Sequence, residues 1–412
     1  MYAVSIGINA LLYFVTTSFL THHLSEYDYG VINLYSALSI FLMPFIGLGI
    51  SFTLTVDYFK MDEQQFRKRF TNAMMVPLIT AGILTLVFAV IYPFIQHLIK
   101  VNLFFAILMP FTCALVVLND VILHMVRNKG KHFLFMGFSV SRTVLETAVT
   151  LMLVIGLSWG WTGRLSGSLT AMVVFGLVSI WLIRQWKFYN GRFEKKEFKD
   201  VVVTGLPFVP ERLAIFVLSY SDRFFIDYFN GIKDVGYYSV GAQIALVVNM
   251  SILVLINVFH PMVIKKLTAE VIDHRSVRIY TWIFIGVSAL VTAFLIFMVP
   301  VIFHYFIGPA FQPGKIYAIN LSIGYFLWAV YNAFFPFLLS ERKNKTLMTI
   351  SIAGMAASLG LNYYNVSHYG SIGATYTSMA VNGLMAVMII YAANRTYPMK
   401  NLFKFKAVPG HS

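Results

Sequence analysis

Arg127-Asn128-Lys129-Gly130-Lys131 separates two apolar runs long enough to cross a bilayer, Asn102–Met125 and Phe133–Ile155. Three cations in five residues between two such runs mark a loop that stays in the cytoplasm, because translocated loops are poor in Lys and Arg. The same alternation recurs in both directions along the chain. Twenty-four of the 31 lysines and arginines fall on one side of twelve apolar spans, four on the other, and three within the spans. That bias predicts a multi-pass membrane protein with both termini in the cytoplasm.

The expected spans of the first half are Ala3–Leu20, Tyr29–Ile50, Ala73–Phe94, Asn102–Met125, Phe133–Ile155 and Ser166–Ile183. Those of the second half are Thr204–Tyr228, Gly236–His260, Tyr280–Phe303, Ile316–Leu339, Leu347–Val366 and Ser371–Ala392. Basic connections cluster at Lys60 to Arg69, Arg184 to Lys199, Lys265 to Arg278, Arg342 to Lys345 and Arg395 to Lys406. Only Lys100, Arg164, Lys233 and Lys315 are expected on the outer face. Trp159 and Trp161 fall at the outer boundary and Trp181, Trp186 and Trp282 at the inner one, as an interfacial aromatic belt requires. Met1 is followed by no Lys or Arg, and Thr21-His22-His23 is a poor cleavage context. Ala3–Leu20 therefore reads as the first membrane helix.

Composition leads to the same class. Hydrophobic residues make up 58% and charged residues 12%, against about 25% charged in a soluble domain. Twelve spans of about 20 residues leave room for short connections but not for a soluble enzyme domain. The net charge of +14 is thus topological, and no nucleic-acid partner is expected. The lone Cys113 lies in an apolar stretch, which excludes a disulfide framework. There is no Walker sequence, dinucleotide loop or His/Glu metal spacing, so neither an enzyme activity, a cofactor nor a metal is expected.

The halves read as weak repeats. Asp28-Tyr29-Gly30 opens the second span and Asp234-Val235-Gly236 the eighth; Arg127 to Lys131 precedes the fifth and Arg342-Lys343-Asn344-Lys345 the eleventh. The expected fold is all-α, with about 12 transmembrane helices in two pseudo-symmetric six-helix lobes. The corresponding boundaries are an N-lobe over 1–190, a cytoplasmic linker over 191–203, a C-lobe over 204–393 and a basic tail over 394–412.

Charges within spans are costly and mark sites by default. Arg142 and Glu146 straddle the middle of span five, four residues apart and so on one helical face. Span seven holds Glu211, Arg212, Asp222, Arg223 and Asp227, after Pro207 and Pro210, which bend or unwind that helix end. From depth alone, Arg142, Arg212 and Arg223 are expected as substrate-binding cations, and Glu146, Asp222 and Asp227 as coupling or charge-pair residues. Trp328 and Tyr331 are the sugar-stacking candidates, with core packing the ordinary alternative.

Leu24-Ser25-Glu26-Tyr27-Asp28-Tyr29-Gly30 and Gly205-Leu206-Pro207-Phe208-Val209-Pro210 resemble stretches of the polysaccharide-biosynthesis flippases. So do Asp222 to Ile226, Asp234 to Ser239, Asn344-Lys345-Thr346 and Gly370 to Ala374. These O-antigen and capsule lipid flippases belong to the multidrug/oligosaccharidyl-lipid/polysaccharide exporter superfamily. The resemblance implies a bacterial inner-membrane protein whose lobes enclose a cationic cavity. The implied substrate is a lipid-linked oligosaccharide on undecaprenyl pyrophosphate. Implied partners are membrane lipids, a polysaccharide polymerase and a chain-length regulator. The competing expectation is a cation-coupled multidrug exporter of the same superfamily, which would need acid in excess of arginine at depth.

Overall fold

Polar caps and broken helices decide where the spans begin and end. The computed structural model describes residues 2–189, 192–395 and 397. It is all-helical over those residues, with eleven helices, or runs of two joined helices, long and apolar enough to cross a membrane. The chain divides into two compact units, Met1–Arg223 and Phe224–Ser412.

The first unit begins with α1 (Tyr2–His23), α2 (Glu26–Gly47) and α3 (Ile50–Lys60). It continues through α4 (Glu63–Ile99), α5 (Leu103–Asn128), α6 (His132–Leu151), α7 (Gly160–Gln185), α8 (Lys195–Gly205) and α9 (Phe208–Tyr220). Ser25 caps α2 and Asp28 returns the bond to the Ser25 amide, forming a capping box. Asp28 also accepts from the Trp161 amide at 3.2 Å, tying the start of α2 to the start of α7. Asp62 and Asn102 cap α4 and α5 through the Gln65 and Phe105 amides.

Two spans are interrupted, and their interruptions meet. The second breaks at Leu48 and Gly49, whose φ values of 42° and 65° are left-handed. The seventh breaks at Gly205-Leu206-Pro207, between α8 and α9. A Cβ on Gly205 would lie 2.2 Å from the Leu48 carbonyl oxygen, so the two backbones touch where both helices are broken. Around this crossing α8 packs on α3 and α4, and α9 packs on α2.

Those contacts place span seven with the first compact unit, which ends twenty residues beyond the 191–203 linker expected from sequence. Much of that linker is helix: α8 begins at Lys195. Arg69, only 5% exposed, holds α8 down through Asp200 at 2.5 Å and Glu197 at 3.7 Å, while its Nε bonds Asp57 of α3 at 3.1 Å. Lys68 pairs with Glu194 at 3.1 Å, just ahead of α8.

The second unit contains most of α10 (Asp222–Asn230), then α11 (Ile232–Leu267), α12 (His274–Phe306), α13 (Gly314–Ser340), α14 (Asn344–Tyr369) and α15 (Ile372–Asn394). Helix α13 is its centre, packed against α11, α12 and α15. Close approach depends on small residues, as is usual between membrane helices. A Cβ on Gly241 would lie 2.5 Å from the Gly314 carbonyl oxygen, and one on Gly373 2.1 Å from that of Asn365.

The eleven candidate spans among the described residues fit the expectation of about twelve membrane helices. The stretch expected as the eleventh span, Leu347–Val366, does form a helix within α14, but it is not among those apolar enough to cross by composition. Ser351, Ser358, Asn362 and Asn365 dilute it, and Asn362 turns inward toward Ser358. Of the basic tail expected over 394–412, only Asn394, Arg395 and Tyr397 are described; Lys400, Lys404 and Lys406 lie outside the described residues.

Candidate functional site

Three deep charges of the first unit, Arg142, Glu146 and Arg164, gather where α6 meets α7 beside α1. Helices α6 and α7 approach closely because Gly167 has no side chain: a Cβ there would lie 2.3 Å from the Thr150 hydroxyl oxygen. This approach brings Arg164 of α7 onto α6. Its Nη1 donates to Glu146 Oε1 at 2.7 Å and to the Thr150 hydroxyl at 3.3 Å. Both side chains are withdrawn from solvent, Glu146 at 7% exposure and Arg164 at 18%. The pairing of Arg142 with Glu146 expected along α6 is replaced by this bond across two helices.

Arg142 is thereby left over. Among the described residues it has no ion-pair partner, and its Nε is buried without a hydrogen-bond partner. It lies within electrostatic reach of Tyr13 on α1 and Asp120 on α5. A polar seam extends from it along α1 and α6. Asn9 donates to the Ser139 hydroxyl at 2.8 Å, and the Thr16 and Thr147 hydroxyls share a bond of 3.0 Å. The side-chain Oδ1 of Asn9 and the Ser5 hydroxyl are buried there with no hydrogen-bond partner. Unsatisfied polar atoms at this depth call for an explanation, such as a water, an ion or a substrate group.

A cavity of about 420 Å³ opens beside the seam, between α1, α2, α5 and α7. Its polar lining includes Tyr13, Tyr35, Ser36, Ser39, Ser168 and Arg164. Arg164 was expected in an outer loop, and the reason it was missed is a boundary. Span six was expected to begin at Ser166, whereas α7 begins at Gly160 and carries Arg164 into the helix. An acid at mid-depth in span five was the available signal that a second cation was needed.

The remaining expected residues lie elsewhere. Arg212 is exposed on α9, with its guanidinium carbon 5.0 Å above the Phe52 ring of α3. Phe52 in turn stacks with Phe208, so Arg212 sits beside the crossing of the two broken spans. Arg223 is 8% exposed and bonds Asp222 at 2.8 Å and the Ser219 carbonyl at 3.1 Å. Asp227 follows one turn later on α10. Tyr331 is 7% exposed and packs against Phe335, while Trp328 is half-buried on the same helix. The structure thus brings Glu146 and Arg142 together with a third charge; Arg212 lies instead by the crossing of the broken spans, Arg223 pairs with Asp222, and Trp328 and Tyr331 belong to α13 of the second unit.

A family model described as "Polysaccharide biosynthesis protein" matches residues 1–267. The chain belongs to that family. Among solved structures, a lipid II flippase, MurJ, in an inward closed conformation is similar over 98% of this chain and 89% of its own. The TM-score is 0.77 at 12% identity. A multidrug resistance MATE family transporter of the MOP superfamily, inward-facing, matches over 98% of this chain and 99% of its own. Its TM-score is 0.73 at 15% identity. At such identities these likenesses establish the fold alone. No curated protein matches the chain. Membership of the polysaccharide-biosynthesis family and the MurJ- and MATE-like fold bear out the resemblance seen in the motifs.

Proposed function

We propose that this protein is a flippase that moves undecaprenyl-pyrophosphate-linked oligosaccharide units, for O-antigen, capsule or a related polymer, across the bacterial inner membrane by alternating access. The observation that carries the reading is Arg142: a deep arginine whose partner acid is held by another arginine. Arg142 and Arg164 lie against Glu146, with Asp120 of α5 within electrostatic reach of Arg142, so the seam holds at least as much arginine as acid. That balance suits an anionic substrate and disfavours a cationic drug.

The physical chemistry is consistent. A pyrophosphate and its sugars cannot cross about 30 Å of hydrocarbon unaided. Arginine in a shielded site replaces lost hydration with charge-assisted, often bidentate, phosphate contacts. On this reading Arg142 and Arg212 are cations that the pyrophosphate meets at different points of its path, with Arg223 a further cation already held by Asp222. Glu146 fixes Arg164 in place, and Trp328 is the better-placed aromatic for a sugar face. Both termini are cytoplasmic, as the loop charges require. An inward-negative potential assists export of the negative headgroup by about 2.3 kcal/mol per charge per 100 mV.

The test is movement of a labelled undecaprenyl-pyrophosphate oligosaccharide across reconstituted vesicles. It should require the protein and fall in Arg142→Gln and Arg212→Gln variants. A deletion strain gives the contrast. Lost surface polysaccharide supports the flippase, whereas intact polysaccharide with new sensitivity to cationic compounds would point to a drug exporter.

A further inference from the structure

The second unit carries two adjoining cavities at one end of its helices that the translocation reading leaves unused. The first, of about 310 Å³, lies between the end of α13, the start of α14 and the end of α15. Lys343, Arg395, Thr346 and Thr349 line it, together with Tyr391. Arg395 Nη2 bonds the Tyr391 hydroxyl at 2.5 Å, and its guanidinium carbon lies 4.8 Å over that ring. The arginine is therefore oriented rather than trailing in solvent. The connection from Glu341 to Lys345 holds three cations and one acid.

The second cavity, of about 540 Å³, lies on the neighbouring side of α15, against α12 and α13. Its walls are Trp282, Ile285, Val330, Phe334 and Ile390, and it meets the first cavity at Tyr391, which lines both. A basic, hydroxyl-bearing recess thus continues into an apolar slot of membrane-facing residues, with tryptophan and tyrosine at the junction depth. Basic pockets between membrane helices at the cytoplasmic side accept anionic lipid headgroups.

We infer that this double cavity binds one anionic glycerophospholipid, with its phosphate at Lys343 and Arg395 and an acyl chain in the slot beside Trp282. Charge decides the occupant. A zwitterionic phospholipid fills the slot equally well but gains nothing net from two cations. Assigning the site to the inner leaflet rests on the topology proposed above, but the lipid preference does not.

The experiment uses Trp282 as reporter. The full chain is reconstituted in phosphatidylcholine vesicles containing phosphatidylglycerol or phosphatidylcholine with brominated acyl chains. The quenching that disappears in Trp282→Phe is then assigned to the slot. Brominated phosphatidylglycerol should quench that component at lower mole fraction than brominated phosphatidylcholine. The preference should fall by roughly fivefold for each cation removed, in Lys343→Gln, Arg395→Gln and the double variant. Equal quenching by the two lipids, or a preference that survives the double variant, would overturn the inference. So would failure of either lipid to quench, since the slot would then be closed or filled by protein. Unchanged helical circular dichroism and Trp282 emission establish that each variant is folded. Oligosaccharide translocation is measured in the same vesicles, so loss of the flippase reading and loss of the lipid site register separately.

Discussion

Arg164 on α7 donates to Glu146 on α6 at 2.7 Å, while Arg142, one turn before Glu146 on its own helix, has no ion-pair partner among the described residues. The two arginines therefore differ in kind. One is held in a buried pair and the other retains bonding capacity. Arg164→Met should leave Glu146 buried and uncompensated, costing about 3–5 kcal/mol of stability. Arg142→Met removes no pair and should leave the melting temperature in detergent nearly unchanged while abolishing translocation. If Arg142→Met proves the less stable of the two, the assignment of partners is wrong.

The crossing of the broken spans is sterically closed. Gly205→Ala places a methyl 2.2 Å from the Leu48 carbonyl oxygen, and the obstacle is backbone, which cannot rotate away. A loss of about 1–3 kcal/mol is expected, the usual cost of overpacking. Gly137→Ala on α6 is the control, because nothing lies within 4 Å of its Cβ position. Thermal unfolding of both variants in the same detergent separates a local clash from a general intolerance of alanine.

Arg69 joins three elements of the first unit, bonding Asp57 on α3 and Asp200 and Glu197 on α8. Arg69→Met should release and fray α8, so that trypsin cuts faster after the exposed Lys195, Lys196 and Lys199. Lys68→Met removes only a half-exposed pair with Glu194, worth about 0–1 kcal/mol, and should change the cleavage rate little. Equal rates in the two variants would show that α8 is held by apolar packing instead.

Loop sidedness is tested by single cysteines. Ser158 and Tyr189 are both exposed, and the native Cys113 is buried. Ser158→Cys should react with an impermeant thiol reagent in intact spheroplasts, and Tyr189→Cys only after lysis. The reverse pattern would invert the membrane map.

Asp273 caps α12, accepting from the Ser276 hydroxyl and amide, and pairs with Lys266 at 3.0 Å. The Ser276 bonds first, and Lys266 after them, hold its carboxyl well below the usual carboxylate range. A depressed value means that the cap is fully present above the ordinary carboxylate pKa of about 3.9. It is lost only as pH falls through the lower folded value. Amide exchange at the first turn of α12, corrected for intrinsic rates, should stay constant from neutral pH down to that ordinary value and accelerate only below it. In Asp273→Asn the step should vanish.

Some of the candidate site was legible without coordinates. Pro207 and Pro210 announce a disturbed span seven, because a ring without an N–H breaks a helix. The break at Leu48-Gly49 carried no such signal, because leucine gives no warning of a left-handed backbone. Arg164 was hidden by a span boundary set six residues late. Hydropathy averages over a window and does not register one arginine sheltered by the helix beside it.

The sequence by itself determined that this chain spans the membrane many times and that Arg142 and Glu146 lie within a span. Those follow from additive transfer energies along the chain, where each residue contributes according to its own side chain. Which acid neutralises which base was decided only by tertiary structure. Helical spacing offers Glu146 a neighbour at Arg142, but the contact is won by Arg164, because the bare α-carbon of Gly167 lets α7 close on Thr150. Pairing depends on the distance between helices, and that distance is a property of two packed surfaces rather than of either sequence segment.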